Sequence, residues 1–97
     1  MKREDFIFTI GYSGDTALVD GQAKKEYYQL SLQELIEKGL WRAAFCEALF
    51  DDNPEDMELV VAKYNQQSGA DLKSVHDMKR MLGVYDVPKN IGKIKVL

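Results

Sequence analysis

A chain of 97 residues, 45% hydrophobic and 30% charged, has the size of one ordinary domain and is too apolar to remain disordered. Its one cysteine, Cys46, excludes an internal disulfide. The apolar run Phe6–Ile10 is far shorter than a signal-peptide core or a membrane span, so a soluble protein of the reducing cytoplasm with no membrane contact is expected. The net charge of −3 is unevenly spread: residues 1–70 carry seven Lys/Arg against thirteen Asp/Glu, and residues 71–97 carry six against three.

In chain order, Phe6, Phe8 and Ile10 alternate with Ile7 and Thr9, which predicts a strand. Gly11–Asp15 supplies turn residues and Thr16–Val19 a second strand, giving a β-hairpin. Asp20-Gly21 ends it, and Ala23 and Tyr27, four apart, predict a short helical turn leading to Leu30. Ser31-Leu32-Gln33-Glu34 is a capping box, in which the Ser hydroxyl and the Glu carboxylate satisfy each other's backbone amides. The helix it opens should end at Gly39.

Leu40–Phe50 has only Arg42 and Glu47 as charged residues. A helix apolar nearly all round belongs at the centre of a domain, with Trp41 and Phe45 buried. Asn53-Pro54 starts the next helix, Glu55 and Asp56 complement its dipole, and Met57, Val60, Val61 and Tyr64 form its stripe to Ser68-Gly69. A last helix, capped by Asp71, presents Leu72, Val75, Met78 and Leu82 and closes at Gly83. Beyond it, Val84–Val87, a Pro88-Lys89-Asn90 turn and Ile91–Leu97 follow. The alternation of Lys93 and Lys95 with Ile94 and Val96 predicts a half-buried strand.

An α+β fold follows: a single domain over residues 1–97, with a small antiparallel sheet from the N-terminal hairpin and the C-terminal strand packed against three or four helices.

Candidate chemistry is sparse. Glu47, Asp51, Asp52, Glu55, Asp56 and Glu58 form an acidic run, but the calcium-loop pattern is missing and Pro54 interrupts it, so a solvated helix junction is the preferred reading. Gly11–Thr16 lacks the lysine and spacing of a phosphate-binding loop, and a hairpin turn explains it. Cys46 lies four residues from Arg42, whose charge favours a thiolate, yet its apolar neighbours point to an inert core thiol. A Cys46/His76 nucleophilic pair has neither a local signature nor a third member. No catalytic residue, cofactor site or metal site is assigned.

Two surfaces remain. Lys73, Lys79 and Arg80 on a helix, followed by Lys89, Lys93 and Lys95 on a possible hairpin, have the order of the recognition helix and wing of winged helix-turn-helix proteins, which are nucleic-acid binders. Against this stand the negative net charge and the interleaved Asp71, Asp77 and Asp86. Five tyrosines exceed what the helix stripes require, and Tyr12, Tyr27, Tyr28 and Tyr85 are candidates for a protein interface. The expected function is a non-catalytic interaction or regulatory module that binds a protein partner or itself, with nucleic-acid binding as the alternative.

Overall fold

The computed structural model describes every residue from Met1 to Leu97. Its first element differs from expectation: Arg3–Ile7 forms a helix, α1, and the strand β1 begins only at Thr9 and runs to Ser13. Glu4 and Asp5 lie in the first turn of α1, where the helix dipole favours acids. Phe6, Ile7 and Phe8 are all buried in succession, which the alternating faces of a half-exposed strand would not permit. A short apolar run fits either state by periodicity alone, and here tertiary burial decided.

β1 pairs antiparallel with β2 (Thr16–Val19), with a bulge between Thr9 and Gly11 that leaves Ile10 outside the ladder. Asp20 then caps α2 (Gly21–Tyr27) by accepting from the Ala23 amide at 3.1 Å. α3 (Leu32–Glu37) carries the full capping box of Ser31 and Glu34, α4 spans Trp41–Phe50, and α5 spans Pro54–Ser68 behind the Asn53 cap. α5 and α6 (Val75–Leu82) both end at glycines in the left-handed conformation, Gly69 and Gly83, where a side chain would meet its own backbone. The cap of α6 is Ser74, whose hydroxyl accepts from the Asp77 amide at 3.2 Å, and not Asp71, which pairs with Lys73. The Asn65 side chain grips both backbone groups of Leu72, at 2.9 and 3.0 Å, so the chain stays non-helical past that point and the helix starts later.

Strand β3 (Lys93–Val96) completes one three-stranded sheet of order β1-β2-β3. The expected strand exists and joins the hairpin, but it runs parallel to β2, pairing Thr16 with Lys93 and Val19 with Val96. The sheet is therefore mixed. Between β2 and β3 the chain passes through all of α2–α6, the long crossover that parallel neighbours require. Alternation within a strand carries no information about its direction. Nor is β3 half-buried: all four residues are exposed.

The core lies between one face of β1–β2 and the helices. Phe6, Val19, Leu35, Ile36, Phe45, Val60 and Met78 are among its fully enclosed side chains. α4 is the most enclosed helix, with Ala43, Ala44, Phe45, Cys46, Ala48 and Leu49 buried. Trp41, expected inside, is only half-buried. It sits in the first turn of α4 at the edge of the core and meets Tyr64 edge-on, ring centroids 5.4 Å apart.

Candidate interaction surface

The polar residues of the interior act as structural clamps. Arg42 donates from Nε to the Thr9 carbonyl at 3.1 Å and from Nη1 to the Leu82 carbonyl at 2.8 Å. It thus ties the start of β1 to the C-terminal end of α6, where a cation is favoured by the helix dipole. Asp5, buried, pairs with Lys24 at 2.5 Å, joining α1 to α2. Arg3 pairs with Glu47 of α4. None of these long-range pairs leaves a mark in the sequence, because the partners lie 19 to 44 residues apart.

The catalytic candidates are not assembled. Cys46 is enclosed in the core, and burial pushes its thiol up to about 11, with Arg42 only partly opposing the shift. Desolvation wins over the neighbouring charge. His76 is exposed on α6, its ring 6.4 Å from that of Tyr85, and it rims a shallow groove with Glu58, Asn65 and Lys73. Part of the acidic run has structural duties: Glu47 pairs with Arg3, Asp52 takes a left-handed turn conformation between α4 and α5, and the Asp56 amide donates to the Asn53 cap oxygen. Gly11–Ser13 belongs to β1, and the Asp15 carbonyl accepts from the Gly92 and Lys93 amides at 2.9 and 3.2 Å. The hairpin turn serves to dock the start of β3.

The six basic residues of the C-terminal third are divided by the fold. Lys73 is engaged by Asp71 at 2.6 Å. Lys79 and Arg80 lie in the last turn of α6. Lys89 borders a groove that also contains Asp52 and Asp86. Lys93 and Lys95 share one face of β3, level with Thr16 and Leu18. Pairing of Ile91–Leu97 with Val84–Val87, which the alternative wing reading needs, does not occur; Lys93–Val96 pairs with β2 of the hairpin, as expected.

Among the tyrosines, Tyr27 packs against the core and walls a largely apolar cavity of about 230 Å³ between β1, α2 and α4. Tyr12, Tyr28 and Tyr85 are exposed by 43 to 48%. Partial burial raises the Tyr12 phenol above its ordinary range, Cys46 adding to the shift and Arg42 opposing it. Tyr28 belongs to a second groove of about 340 Å³ with Glu4, Gly21, Lys24, Lys25 and Val96. That groove lies at the end of β3.

β3 itself is the most open element. By register, Ile94 and Val96 stand level with the buried Ala17 and Val19 and so occupy the core-facing side of the sheet, yet they are 38% and 56% exposed. The apolar face of the sheet overhangs the helix layer. Close approach fixes the strand's far end: the Gly21 amide donates to the Leu97 carbonyl at 3.2 Å, and a Cβ on Gly21 would stand 2.6 Å from Val96 Cγ1 and 2.8 Å from that carbonyl oxygen. Sequence reasoning found the alternation of β3 but not its exposure, and it gave Gly21 only the role of ending the second strand.

Comparison with protein-family models, with curated proteins and with solved structures finds no match. No helix is long and apolar enough to cross a membrane.

Proposed function

We propose that the protein is a non-catalytic interaction or regulatory module that works through protein contacts. The observation that supports this reading best is the overhang of β3, where Ile94 and Val96 continue the apolar face of the sheet beyond its covering helices and lie open. Contiguous apolar surface left uncovered marks contact sites in soluble domains. The exposed Tyr28 beside Val96 enlarges it, with a side chain that tolerates both water and a dry interface. The enclosed, protonated thiol of Cys46 and the separate exposed His76 give no support to a covalent mechanism.

Site-specific photo-cross-linkers placed at Val96 and Tyr28, with Lys63 on α5 as the control position, test this reading. Cross-links to a protein, or to a second copy, are expected from the first two positions and not from the third. Light scattering over a concentration series separates self-association from a foreign partner. Submicromolar binding to duplex DNA at physiological salt, abolished by the double change Lys93→Glu and Lys95→Glu, would replace the reading with a nucleic-acid function.

A further inference from the structure

We infer that the outer edge of β3 is a docking site for an extended acidic segment of a partner protein, which adds to the sheet as a fourth strand. This inference rests on the interaction-module reading and specifies its partner. The backbone supplies the first argument. In a parallel pair, alternate residues of a strand direct their N–H and C=O groups to the same edge. The amides of Lys93 and Leu97 donate inward, to the carbonyls of Asp15 and Val19 at 3.2 and 2.9 Å. The N–H and C=O groups of Ile94 and Val96 therefore point away from β2. β3 is the last strand of the sheet and every residue of it is exposed, so this row of donors and acceptors forms a template for one more strand.

The opposite edge of the sheet is handled differently. β1 is bent by its bulge at Ile10, and the Thr9 carbonyl is taken by Arg42; bulges are a common way to disable an edge. β3 has no bulge, and its four consecutive residues pair in regular register with β2. What protects it is charge alone. Lys93 and Lys95 lie on one face, and neither is engaged in an ion pair. Two copies of the chain pairing β3 to β3 about a twofold axis would set these lysines against one another, a like-charge juxtaposition that disfavours association. The same lysines attract a strand with carboxylates at alternate positions. The edge thus discriminates by charge.

The surroundings fit such an occupant. On the side of Ile94 and Val96, the groove at the end of β3 offers Tyr28 and the backbone at Gly21 to apolar side chains of an added strand. Of its charged residues, Lys24 is neutralised by Asp5, while Lys25 and Glu4 form no ion pair. The Asp15 carboxylate lies beside Gly92, just before the strand. The groove is close to neutral, with Lys24 paired to Asp5 and Lys25 sharing it with Glu4, so the preference for acid rests on Lys93 and Lys95, which have no acidic neighbour across the register, only Thr16 and Leu18. A nucleic-acid strand would use the lysines but neither the carbonyl row nor the apolar side chains. The occupant is therefore a polypeptide in which acidic and apolar residues alternate.

The test uses the full 97-residue chain and a synthetic peptide of six residues alternating Glu and Val. The peptide should bind and slow amide hydrogen exchange at Ile94 and Val96 by roughly tenfold or more at saturation. The double change Lys93→Glu with Lys95→Glu should weaken binding by roughly tenfold or more, and a peptide alternating Lys and Val should bind that variant in preference to the unmodified chain. An analogue N-methylated at the residues facing β3 keeps the charge but loses the ladder donors, and it should not bind. The proposal is overturned if the acidic peptide fails to bind, if the N-methylated analogue binds equally well, or if duplex DNA or a higher concentration of the chain itself protects the two amides where the peptide does not. If cross-linkers at Tyr28 or Tyr85 capture a protein partner while the peptide leaves β3 unprotected, the edge-strand proposal fails and the interaction-module reading stands. If no position captures a protein and the peptide does not bind, both fail.

Discussion

Helix α4 and strand β3 each combine apolar residues with two charged ones, and the fold treats them in opposite ways. Six of the ten residues of α4 are buried, and its two charged side chains are both engaged, Arg42 by carbonyls and Glu47 by Arg3. Every residue of β3 is exposed, and its two lysines have no ion-pair partner. The difference lies in what stands opposite. α4 packs against α1, α3 and α5, whereas β3 lies at the sheet's margin and contacts chiefly β2, so apolar side chains contribute folding energy in one place and stay open to solvent in the other.

The largest expected contrast is in stability. Phe45→Ala empties a fully enclosed site and should cost about 3–5 kcal/mol by urea denaturation. A cost below about 1.5 kcal/mol would mean that α4 is not the centre of the core. Next comes the pair joining α1 to α2. Lys24→Met leaves the Asp5 carboxylate buried without its cation. The expected loss is about 2–3 kcal/mol, below the value for a fully buried pair because Lys24 keeps 30% of its side chain in water. Adding Asp5→Asn should restore part of it, which a double-mutant cycle reads directly.

Alkaline pH probes the same interior. The thiol of Cys46 holds its proton up to about 11 in the folded chain, against an ordinary 9.0. A raised pKa means that its contribution is complete below pH 9 and is lost as pH climbs towards 11, where the unfolded chain gains by ionising first. The loss is about 2–3 kcal/mol at most, and Cys46→Ala should remove that part of the alkaline transition. Native protein should also react slowly with iodoacetamide near neutral pH.

Smaller effects separate the two candidate caps of α6. Ser74→Ala should cost about 1 kcal/mol. Asp71→Ala should stay within about 0.5 kcal/mol, since its pairing with Lys73 is fully solvated. The smallest change belongs to β3 itself: Val96→Ala, at a site 56% exposed, should alter stability by no more than about 0.5 kcal/mol while reducing contact through the overhang. A loss comparable to that of Phe45→Ala would show β3 to be a structural strand and would erase the contrast with α4.

Helix ends were legible because their causes are local. The Ser31–Glu34 box, the Asn53-Pro54 start and the glycine stops at Gly69 and Gly83 each depend on residues within one turn, and each stands where the sequence puts it. Phe45 was legible as core for a related reason: a helix without a polar face has only the interior to occupy. Readings failed where a distant contact decided the outcome. Burial turned Phe6 and Ile7 into the end of a helix, and the clasp of Asn65 on Leu72 took the cap away from Asp71. Arg42 became a bridge between β1 and α6.

The sequence by itself thus determined the order of helices α2–α6, most of their boundaries, and the alternation that makes residues 93–96 a strand, because capping, dipole and side-chain periodicity act over a few residues. Only the tertiary structure decided that this strand runs parallel to β2, that no helix covers it, and that its lysines remain unpaired. Those properties depend on the path of the chain between Val19 and Lys93, and an alternating run of residues reads the same whether the layer that would cover it is present or not.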